Sequence, residues 1–357
     1  WVLESAYSPM DSIEFYKPQA NGTYIKQLAG DHLPFSERDI NYRNMAFSLT
    51  LPADTSVTYY MRFQTDSSMS IQLQKWPGQT FAESVDTEKM ILGLFFGVIL
   101  ITAFYNLVSA AFLRDISYVW VALALTSASS YSASLNGLSF QYFWPNGLWL
   151  QTVAIPVFMN FAFLFIALYS RHFLDLKTTS SIWNKCLLAL ACVCGLLVLL
   201  SLVLPYSIVI RTSTAFSLFV SFMCFIAGII SLFKGNKVAR YYSIGWVILL
   251  AGLITFLLKT IGAIPANAYT TWCQEISFAA LGIFLTIAQS DRVFQMRRQH
   301  EAQQNSSMKA LEDAEKKYRS LFENAIEGIF QMDQLGMLSS ANNAFADIID
   351  EEVHENL

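Results

Sequence analysis

Seven long, nearly uncharged apolar segments follow one another between residues 90 and 289, and they constrain the fold of this chain more than any other feature. A helix needs about 20 apolar residues to cross the hydrocarbon core of a bilayer. The segments that meet or nearly meet this length are Met90–Leu113, Ile116–Leu138, Leu148–Ser170, Cys186–Pro205, Ile208–Phe233, Tyr241–Gly262 and Tyr269–Gln289. The sequence therefore predicts a membrane all-α seven-helix bundle over residues 87–290.

Charged residues are scarce in the chain as a whole. They make up 14% of the 357 residues, and hydrophobic residues make up 54%. A soluble domain has roughly 25% charged residues. The net charge of −4 provides no basic field that would attract nucleic acid. Composition therefore favours the lipid bilayer as a partner and argues against nucleic acid.

The short connections between the apolar segments differ in their basic residues. Every second connection lies on the same side of the membrane. The connections on one side, with the residues after the last segment, hold ten basic residues, namely Arg114, Arg171, Lys177, Lys185, Lys234, Lys237, Arg240, Arg292, Arg297 and Arg298. The set on the other side holds Arg211 alone. Because Lys and Arg near the ends of spans stay on the cytoplasmic side, we expect the N-terminus outside the membrane and the C-terminus in the cytoplasm.

The hydrophobic period changes to two over residues 1–86. Apolar residues alternate with polar neighbours in short runs, at Ile13 and Phe15, at Phe47, Leu49 and Leu51, at Val57, Tyr59, Met61 and Phe63, and at Ile71 and Leu73. Gly, Pro, Asn and Asp separate the runs. This pattern predicts an extracytoplasmic all-β domain, a sandwich or jelly roll.

A long polar connection in this domain runs from Gly30 to Asn44. Exposed loops on a rigid sandwich often make ligand contacts. The candidate ligand-binding residues are Asp31, Arg38, Tyr42, Arg43 and Trp76, which suit a small-molecule or carbohydrate-like ligand. Sheet packing or contact with the lipid surface is the alternative for the aromatic residues. No catalytic or metal site is expected, since His32 has no nearby nucleophile and no metal-spaced partner.

Polar residues inside the apolar segments are informative because hydrocarbon offers them no partners. Lys259 and Glu275 lie near the expected outer ends of adjacent segments, and one hypothesis is that they pair there. In the alternative, Lys259 reaches the headgroups and Glu275 meets water. Asn106 is a third candidate for intramembrane polar coupling. With Asn160 it could also line a transport path, which leaves a membrane transporter or channel with regulatory terminal domains as the alternative function.

The helical pattern continues after Gln289 through residues 291–317 without a helix breaker. The heptad core positions are Val293, Met296, His300, Gln303, Ser307, Ala310, Ala314, Lys317 and Leu321. This polar seam predicts a weak coiled coil. A weak seam suits a signalling helix in a homodimer, because a modest input can shift the balance between two registers.

Three motifs within the apolar segments, FYNL at Phe104–Leu107, RDISY at Arg114–Tyr118 and LNGLSFQYFWP at Leu135–Pro145, stand in a recognisable order. Together with residues 239–242, 262–265 and 289–292, they resemble the bacterial seven-transmembrane receptors with diverse intracellular signalling modules. Residues 13–16, 30–38 and 60–62 resemble the jelly-roll sensor domain of that family. The resemblance implies a sensory receptor in the bacterial cytoplasmic (inner) membrane. It also implies a cytoplasmic output domain, a histidine kinase of two-component systems or a diguanylate cyclase that makes cyclic di-GMP.

Residues 318–357 are similar to the opening part of an α/β PAS sensor domain. Helix, strand, turn, strand and helix are expected at YRSLFENA, EGIFQMD, QLGM, LSSA and NNAFADII, with Asn342 among the matching residues. PAS domains hold haem or flavin in some proteins and only relay a signal in others, so the cofactor stays open. The strand-like start at Trp1 and the end within this region indicate a cropped chain.

Overall fold

The computed structural model describes residues 1–19, 21–66, 69–265, 267–334 and 336–355, with side chains up to residue 349. The chain divides into two compact units, Trp1–Asp291 and Arg292–Leu357. Residue 335 of the predicted QLGM turn, residue 266 of a predicted loop, and residues 356 and 357 lie outside the described residues.

The first unit begins with an all-β region, as predicted. Its strands are β1 Val2–Ser5, β2 Ser12–Pro18, β3 Tyr24–Ala29, β4 Met45–Ser48, β5 Tyr60–Gln64 and β6 Leu73–Trp76, with a 3-10 turn at Phe35–Glu37. They form two antiparallel three-stranded sheets in the orders β4-β1-β6 and β3-β2-β5. A jelly roll has eight strands, whereas the described residues of this region supply six.

One apolar core joins the two sheets into a sandwich. Ile13 and Phe15 of β2 and Phe47 of β4 are fully buried in it, and the rings of Phe15 and Phe47 lie 4.8 Å apart. The period-two prediction is right for these strands and wrong for Ile71 and Leu73, which are 49% and 44% exposed. Ile71 precedes β6 and Leu73 begins it, and neither belongs to the apolar core of the sandwich.

The rest of the first unit is helical. The long helices are α1 Gly78–Leu113, α2 Ile116–Leu135, α4 Leu148–Phe173, α6 Ser181–Leu200, α7 Tyr206–Phe233, α8 Ala239–Thr260 and α9 Ala268–Glu323, and the short ones are α3 Leu138–Tyr142 and α5 Leu176–Thr179. Among the described residues, six helices, all of these long ones except α2, are long and apolar enough to cross a membrane. The chain is therefore a multi-pass membrane protein. Helix α2 is rich in Ser and Ala, which lowers its hydropathy, and it packs between α1 and α4.

Several helix boundaries differ from the predicted segments, and two of these differences affect the contact between the sandwich and the helices. Helix α1 begins at Gly78, directly after the extended residue Pro77, although the β domain was expected to reach residue 86. Helix α2 ends at Leu135 and not at Leu138. The reason is Gly137, whose φ of +74° lies in the left-handed region that glycine adopts without steric cost.

Close contacts between small residues organise the helix bundle. A Cβ atom added to Gly252 of α8 would overlap Ser277 and lie 2.9 Å from the carbonyl oxygen of Cys273, both on α9. Small residues allow this close approach of membrane helices. Elsewhere, the buried hydroxyl of Tyr242 donates to Ser170 Oγ across 2.7 Å and so ties α8 to α4.

The second unit contains the end of α9, the antiparallel hairpin of β7 Phe330–Met332 and β8 Leu338–Ala341, and α10 Asn343–Glu355. The buried Asn342 organises it. Its Nδ2 donates to the carbonyl oxygens of Phe322 and Glu327, both at 3.0 Å. Its Oδ1 accepts from the N–H groups of Ile329 and Phe345 at 2.8 and 3.0 Å. One amide therefore fixes the chain on both sides of the hairpin.

Candidate functional site

The sandwich contacts the helices through the connection between β3 and β4, residues 30–44. Near its end, the nearly buried Arg43 places Nη2 and Nε at 2.8 and 3.2 Å from Glu88 Oε2 on α1. The hydroxyl of Tyr42 donates to the same oxygen, and burial raises the pKa of Tyr42, which keeps the hydroxyl protonated. These charge-assisted bonds anchor the loop to the first long helix.

Asn136, the residue that follows α2, lies between Arg43 and α9. Arg43 Nη1 is 3.2 Å from the carbonyl oxygen of Asn136 and 3.4 Å from its Oδ1. On the other side, Asn136 Nδ2 donates to Glu275 Oε1 across 2.9 Å. Because arginine only donates and a carboxylate only accepts, the two neighbours fix the orientation of this amide. Arg43, Glu88, Asn136 and Glu275 are called the polar joint below.

Glu275 is the member of the polar joint on α9, and it is only 6% exposed. Besides Asn136, it is 3.5 Å from Ser132 Oγ of α2, and its Oε2 has no hydrogen-bond partner within the described part of the chain. A carboxylate among apolar helices is costly unless polar groups compensate for the lost water. The position of α9 at this end of the bundle therefore depends on the polar groups of α2.

Gly137 brings the sandwich backbone directly against the loop after α2. A Cβ atom at this position would lie 2.7 Å from the carbonyl oxygen of Arg43 and 2.8 Å from Ser8 Oγ. Contacts this short do not occur between real Cβ atoms and their neighbours. The residue must therefore be glycine for two reasons, its left-handed backbone and this close approach.

A second buried network holds the sandwich side of the joint. Glu4, 3% exposed, accepts from Asn44 Nδ2 at 2.7 Å and from the indole Nε1 of Trp76 at 2.9 Å. Ser8 Oγ donates to Asn44 Oδ1 at 2.6 Å. The predicted ligand residue Trp76 thus supports the joint from within the sandwich. A ligand contact through its indole N–H would require Glu4 to give up this bond.

Arg38 provides an aromatic contact beside the polar joint. Its guanidinium lies 4.3 Å from the ring centre of Phe35 and 5.5 Å from that of Phe140, on α3. Its Nη1 donates to the carbonyl oxygens of Tyr42 and Arg43 at 3.0 and 2.8 Å. Burial lowers the pKa of Arg38 to about 10. Like Tyr42 and Arg43, this predicted ligand residue contacts other parts of the protein.

Asp31 lies at the start of the same loop, in a group with Asp11 and His32. One ligand atom from each of the three side chains lies within 4.8 Å of the others. Burial raises the pKa of Asp31 to about 6, against smaller lowering effects of His32 and of Gln151 on α4. The expectation that His32 has no partner for a metal site therefore needs correction. The fold brings Asp11, which precedes β2, next to Asp31 and His32, which follow β3, and their spacing in the sequence did not indicate this.

The intramembrane candidates have separate surroundings. Among the described ion pairs, none joins Lys259 to Glu275, and the Lys259 Nζ lies 5.5 Å from the ring centre of Phe256. Glu275 is paired with the amide of Asn136. The buried Asn106 donates to Thr286 Oγ1 across 2.9 Å and links α1 to α9. Two of the three candidates therefore bind α9 to its neighbours.

A cavity of about 180 Å³ lies between the helices. Its lining is mostly apolar, from α2, α4, α7, α8 and α9, and includes Tyr131, Trp246 and Gln274. The Trp246 Nε1 and Gln274 Oε1 atoms have no hydrogen-bond partner among the described residues. If the protein were a transporter, this cavity would be the candidate site for its solute.

Two residues of the polar joint, Glu88 and Asn136, were not selected from the sequence. Both stand at the ends of apolar segments, where polar residues are ordinary. Their partners lie 45 and 93 residues away from them in the chain, and Glu275 lies 139 residues from Asn136. The one indication in the sequence was the isolated charge of Glu275 inside an apolar segment. Such a charge requires a polar partner, although the sequence does not identify that partner.

Comparison with known protein families agrees with this architecture. The family model described as 7TM diverse intracellular signalling matches residues 88–292. A second model, 7TMR-DISM extracellular 2, matches residues 1–77. No curated protein and no solved structure matches the chain. The first match covers more than half of the chain and includes α2, the first part of α9 and most of the polar joint. The chain belongs to the 7TMR-DISM family of transmembrane sensory receptors.

Proposed function

We propose that this receptor binds a small-molecule or carbohydrate-like ligand at its sandwich, outside the cytoplasm, and passes the resulting change to α9 through the polar joint. The observation that supports this proposal is the continuous set of contacts from Arg43 through Asn136 to Glu275. Arg43 belongs to the sandwich loop, and Glu275 belongs to a helix that continues to Glu323. A change in the loop therefore has a direct polar route to that helix.

Seven spans and an outside N-terminus are part of this proposal. Helix α2 has the 20 residues that a span requires, and it packs between two apolar helices that are themselves long enough to span. Several of its serines are buried within the bundle, and Ser132 contacts Glu275. The ten basic residues in alternate connections support an orientation with the sandwich outside and α10 in the cytoplasm of a bacterial cell.

The cytoplasmic part of the proposal concerns α9 and the second unit. Residues 300–321 of α9 are exposed on every side in the single chain, and Leu321, a predicted heptad core residue, is 66% exposed. A free helix of this kind suits a weak coiled coil in a homodimer. The hairpin and α10, organised by Asn342, suit the start of a PAS domain. We also propose that the receptor acts through an output domain, a histidine kinase or a diguanylate cyclase.

The size of the expected effect is that of ordinary allosteric coupling. A ligand shifts a two-state receptor only by the difference between its affinities for the two states. A typical coupling free energy is about 1–3 kcal/mol, which corresponds to a change of about 5- to 150-fold in the equilibrium. The polar joint contains several charge-assisted bonds of the kind that could change by this amount.

The test uses the full chain in lipid nanodiscs with two readouts, the thermal unfolding midpoint and amide hydrogen exchange of residues 292–323. Mono- and disaccharides, peptidoglycan fragments and organic acids are added one at a time. We expect at least one compound to raise the midpoint and to change exchange in residues 292–323. In Asn136→Ala the compound should still raise the midpoint, but it should not change hydrogen exchange in residues 292–323. Asn146 is an exposed residue near the same end of the bundle, so the control Asn146→Ala should behave as wild type.

A transporter with regulatory terminal domains is the rival function, and the cavity beside Gln274 would be its site. The two hypotheses differ in solute movement. A receptor predicts that a compound bound by the nanodisc sample is not taken up by liposomes that contain the protein. Uptake that depends on Gln274 and is insensitive to Asn136→Ala would favour the transporter and contradict the receptor.

A further inference from the structure

The side chains of Asp11, Asp31 and His32 form a group where the start of β2 meets the end of β3. Backbone contacts hold the two segments together. The N–H of Asp31 donates to the carbonyl oxygen of Met10 at 3.0 Å, and the N–H of His32 donates to that of Asp11 at 3.3 Å. Gly30 lies so close to Asp11 that an added Cβ would overlap its carbonyl group. The three side chains are therefore brought together by a rigid part of the sandwich.

The two carboxylates differ in how their charges are compensated. Asp11 accepts from the N–H of Asp66 at 2.7 Å and from Thr65 Oγ1 at 3.2 Å. Asp31 is 8% exposed, and its Oδ1 has no hydrogen-bond partner among the described residues although water cannot reach it. No described ion pair joins Asp31 to Arg38, whose Nη1 donates to backbone carbonyl oxygens. A buried carboxylate oxygen in this state requires a proton or a cation.

The donor atoms indicate which cation fits. Two carboxylates and one imidazole supply two oxygens and one nitrogen. Calcium and magnesium prefer ligand sets made of oxygen alone, whereas imidazole together with carboxylate suits zinc and similar transition metals. Three protein ligands with a fourth position open to water are common for zinc, with bond lengths of about 2.0–2.2 Å. His32 is exposed, so its ring can turn to complete such a set.

We propose that Asp11, Asp31 and His32 form a site for a divalent transition-metal ion, with zinc as the cation that fits best. The ion would neutralise the unpartnered oxygen of Asp31 and bridge the segments before β2 and after β3. Gln151 of α4 lies near enough to Asp31 to affect its pKa. Metal binding would therefore order the loop that leads to Arg43 at a point where this loop meets the helices. The site is independent of the ligand assumed for the proposed function.

The test measures zinc binding to the full chain in nanodiscs after treatment with a chelator. Zinc, manganese, calcium and magnesium are added separately while the unfolding midpoint is recorded. Zinc is expected to raise the midpoint of wild type by about 3 °C or more, because an ion that binds only the folded state stabilises it. Mass spectrometry of the metal content after dialysis is expected to give one zinc ion per chain.

Two variants and one control assign the ion to this site. His32→Ala removes an exposed ligand, so it should fold normally and lose both the midpoint shift and the bound zinc. Asp31→Asn should lose them too, and without metal its midpoint should lie above that of wild type because a buried charge is gone. His300→Ala, on the exposed part of α9, should keep both. A zinc response that is equal in His32→Ala and wild type, a response to calcium alone, or no response to any cation would overturn the proposal.

Discussion

Asn136 Nδ2 donates to Glu275 Oε1 across 2.9 Å, while the Oδ1 and the backbone oxygen of the same residue accept from Arg43. One amide at the end of α2 is therefore shared between the sandwich and α9. Its two sides are not interchangeable, because Arg43 can only donate and Glu275 in its charged form can only accept. A substitution at Asn136 is therefore expected to disturb the contact between the sandwich and α9.

Replacing Asn136 by alanine should destabilise the protein by about 1–3 kcal/mol, since the buried carboxylate of Glu275 loses its Nδ2 donor. Arg43 loses the Oδ1 acceptor and keeps the backbone carbonyl oxygen of residue 136. The measurement is the free energy of unfolding of the full chain in detergent micelles. The matched control is Asn146→Ala, an exposed asparagine close by, which should change the free energy by less than about 0.5 kcal/mol. Equal effects of the two substitutions would argue against the polar joint.

Gly137→Ala should destabilise the protein by more than its backbone angle alone explains. A left-handed conformation costs an alanine about 1–2 kcal/mol, and the added Cβ would also press on Arg43 and Ser8. Gly235→Ala is the matched control, because Gly235 has a φ of +91° and no atom within 4 Å of its added Cβ. Hydrogen exchange should increase at residues 42–44 in the first variant only. If both variants lose the same stability, the close approach of sandwich and helix is not a constraint.

Gly252→Ala should separate α8 from α9, because the added Cβ would overlap Ser277 and meet the backbone of Cys273. Alanine in an open helix position is neutral or slightly favourable relative to glycine, by roughly 0.5–1 kcal/mol. Gly97→Ala on α1, where nothing lies within 4 Å, should therefore leave the unfolding midpoint unchanged or higher. Gly252→Ala should lower it, and adding Ser277→Gly should restore part of the loss. A rise in the midpoint of Gly252→Ala would contradict the contact.

The stability of the sandwich should depend on pH through Glu14. Lys26 Nζ lies 2.7 Å from Glu14 Oε1, and hydrogen bonds from Lys26 and Tyr16 lower the pKa of Glu14. The folded pKa therefore lies below the ordinary value of 4.5, so the stabilisation is complete above that value and is lost as the pH falls through the folded pKa. Glu14→Gln should lower the unfolding midpoint at pH 7 and match wild type in stronger acid. A constant difference at both pH values would count against the pairing.

Much of the helical fold could be predicted from hydropathy, because spans must satisfy their backbone internally and leave long apolar segments in the sequence. Helix α2 was predicted as a span as well, although it is not among the six described helices that are long and apolar enough to cross a membrane. Its serines lower its hydropathy and yet lie against other helices, and Ser132, 1% exposed, contacts Glu275. Hydropathy counts such residues as polar whether or not a neighbouring helix provides a partner. The end of α2 was placed three residues too late because Asn136 and Gly137 act through local geometry.

The candidate site could be predicted only in part. The loop of residues 30–44 was found because it is polar and long, and the selected residues Asp31, Arg38, Tyr42 and Arg43 lie in it. Their partners could not be found, because the contacts join residues far apart in the chain and depend on how the sandwich rests on α1 and α2. A polar loop on a sandwich looks the same in sequence whether it faces a ligand or a second domain. Ligand binding by these residues stays a prediction.

The most direct test of the account is a double-mutant cycle between Arg43→Ala and Glu275→Gln, measured as the free energy of unfolding of the full chain. Both residues contact Asn136, and residues that share one network have interaction energies of about 0.5–3 kcal/mol. Arg62→Ala, on the exposed face of the sandwich, is the control partner and should be additive with Glu275→Gln. We expect an interaction energy in that range for Arg43 and Glu275, and we expect this energy to be lost when Asn136 is also replaced by alanine. Additivity within about 0.3–0.5 kcal/mol in the presence of Asn136 would contradict it.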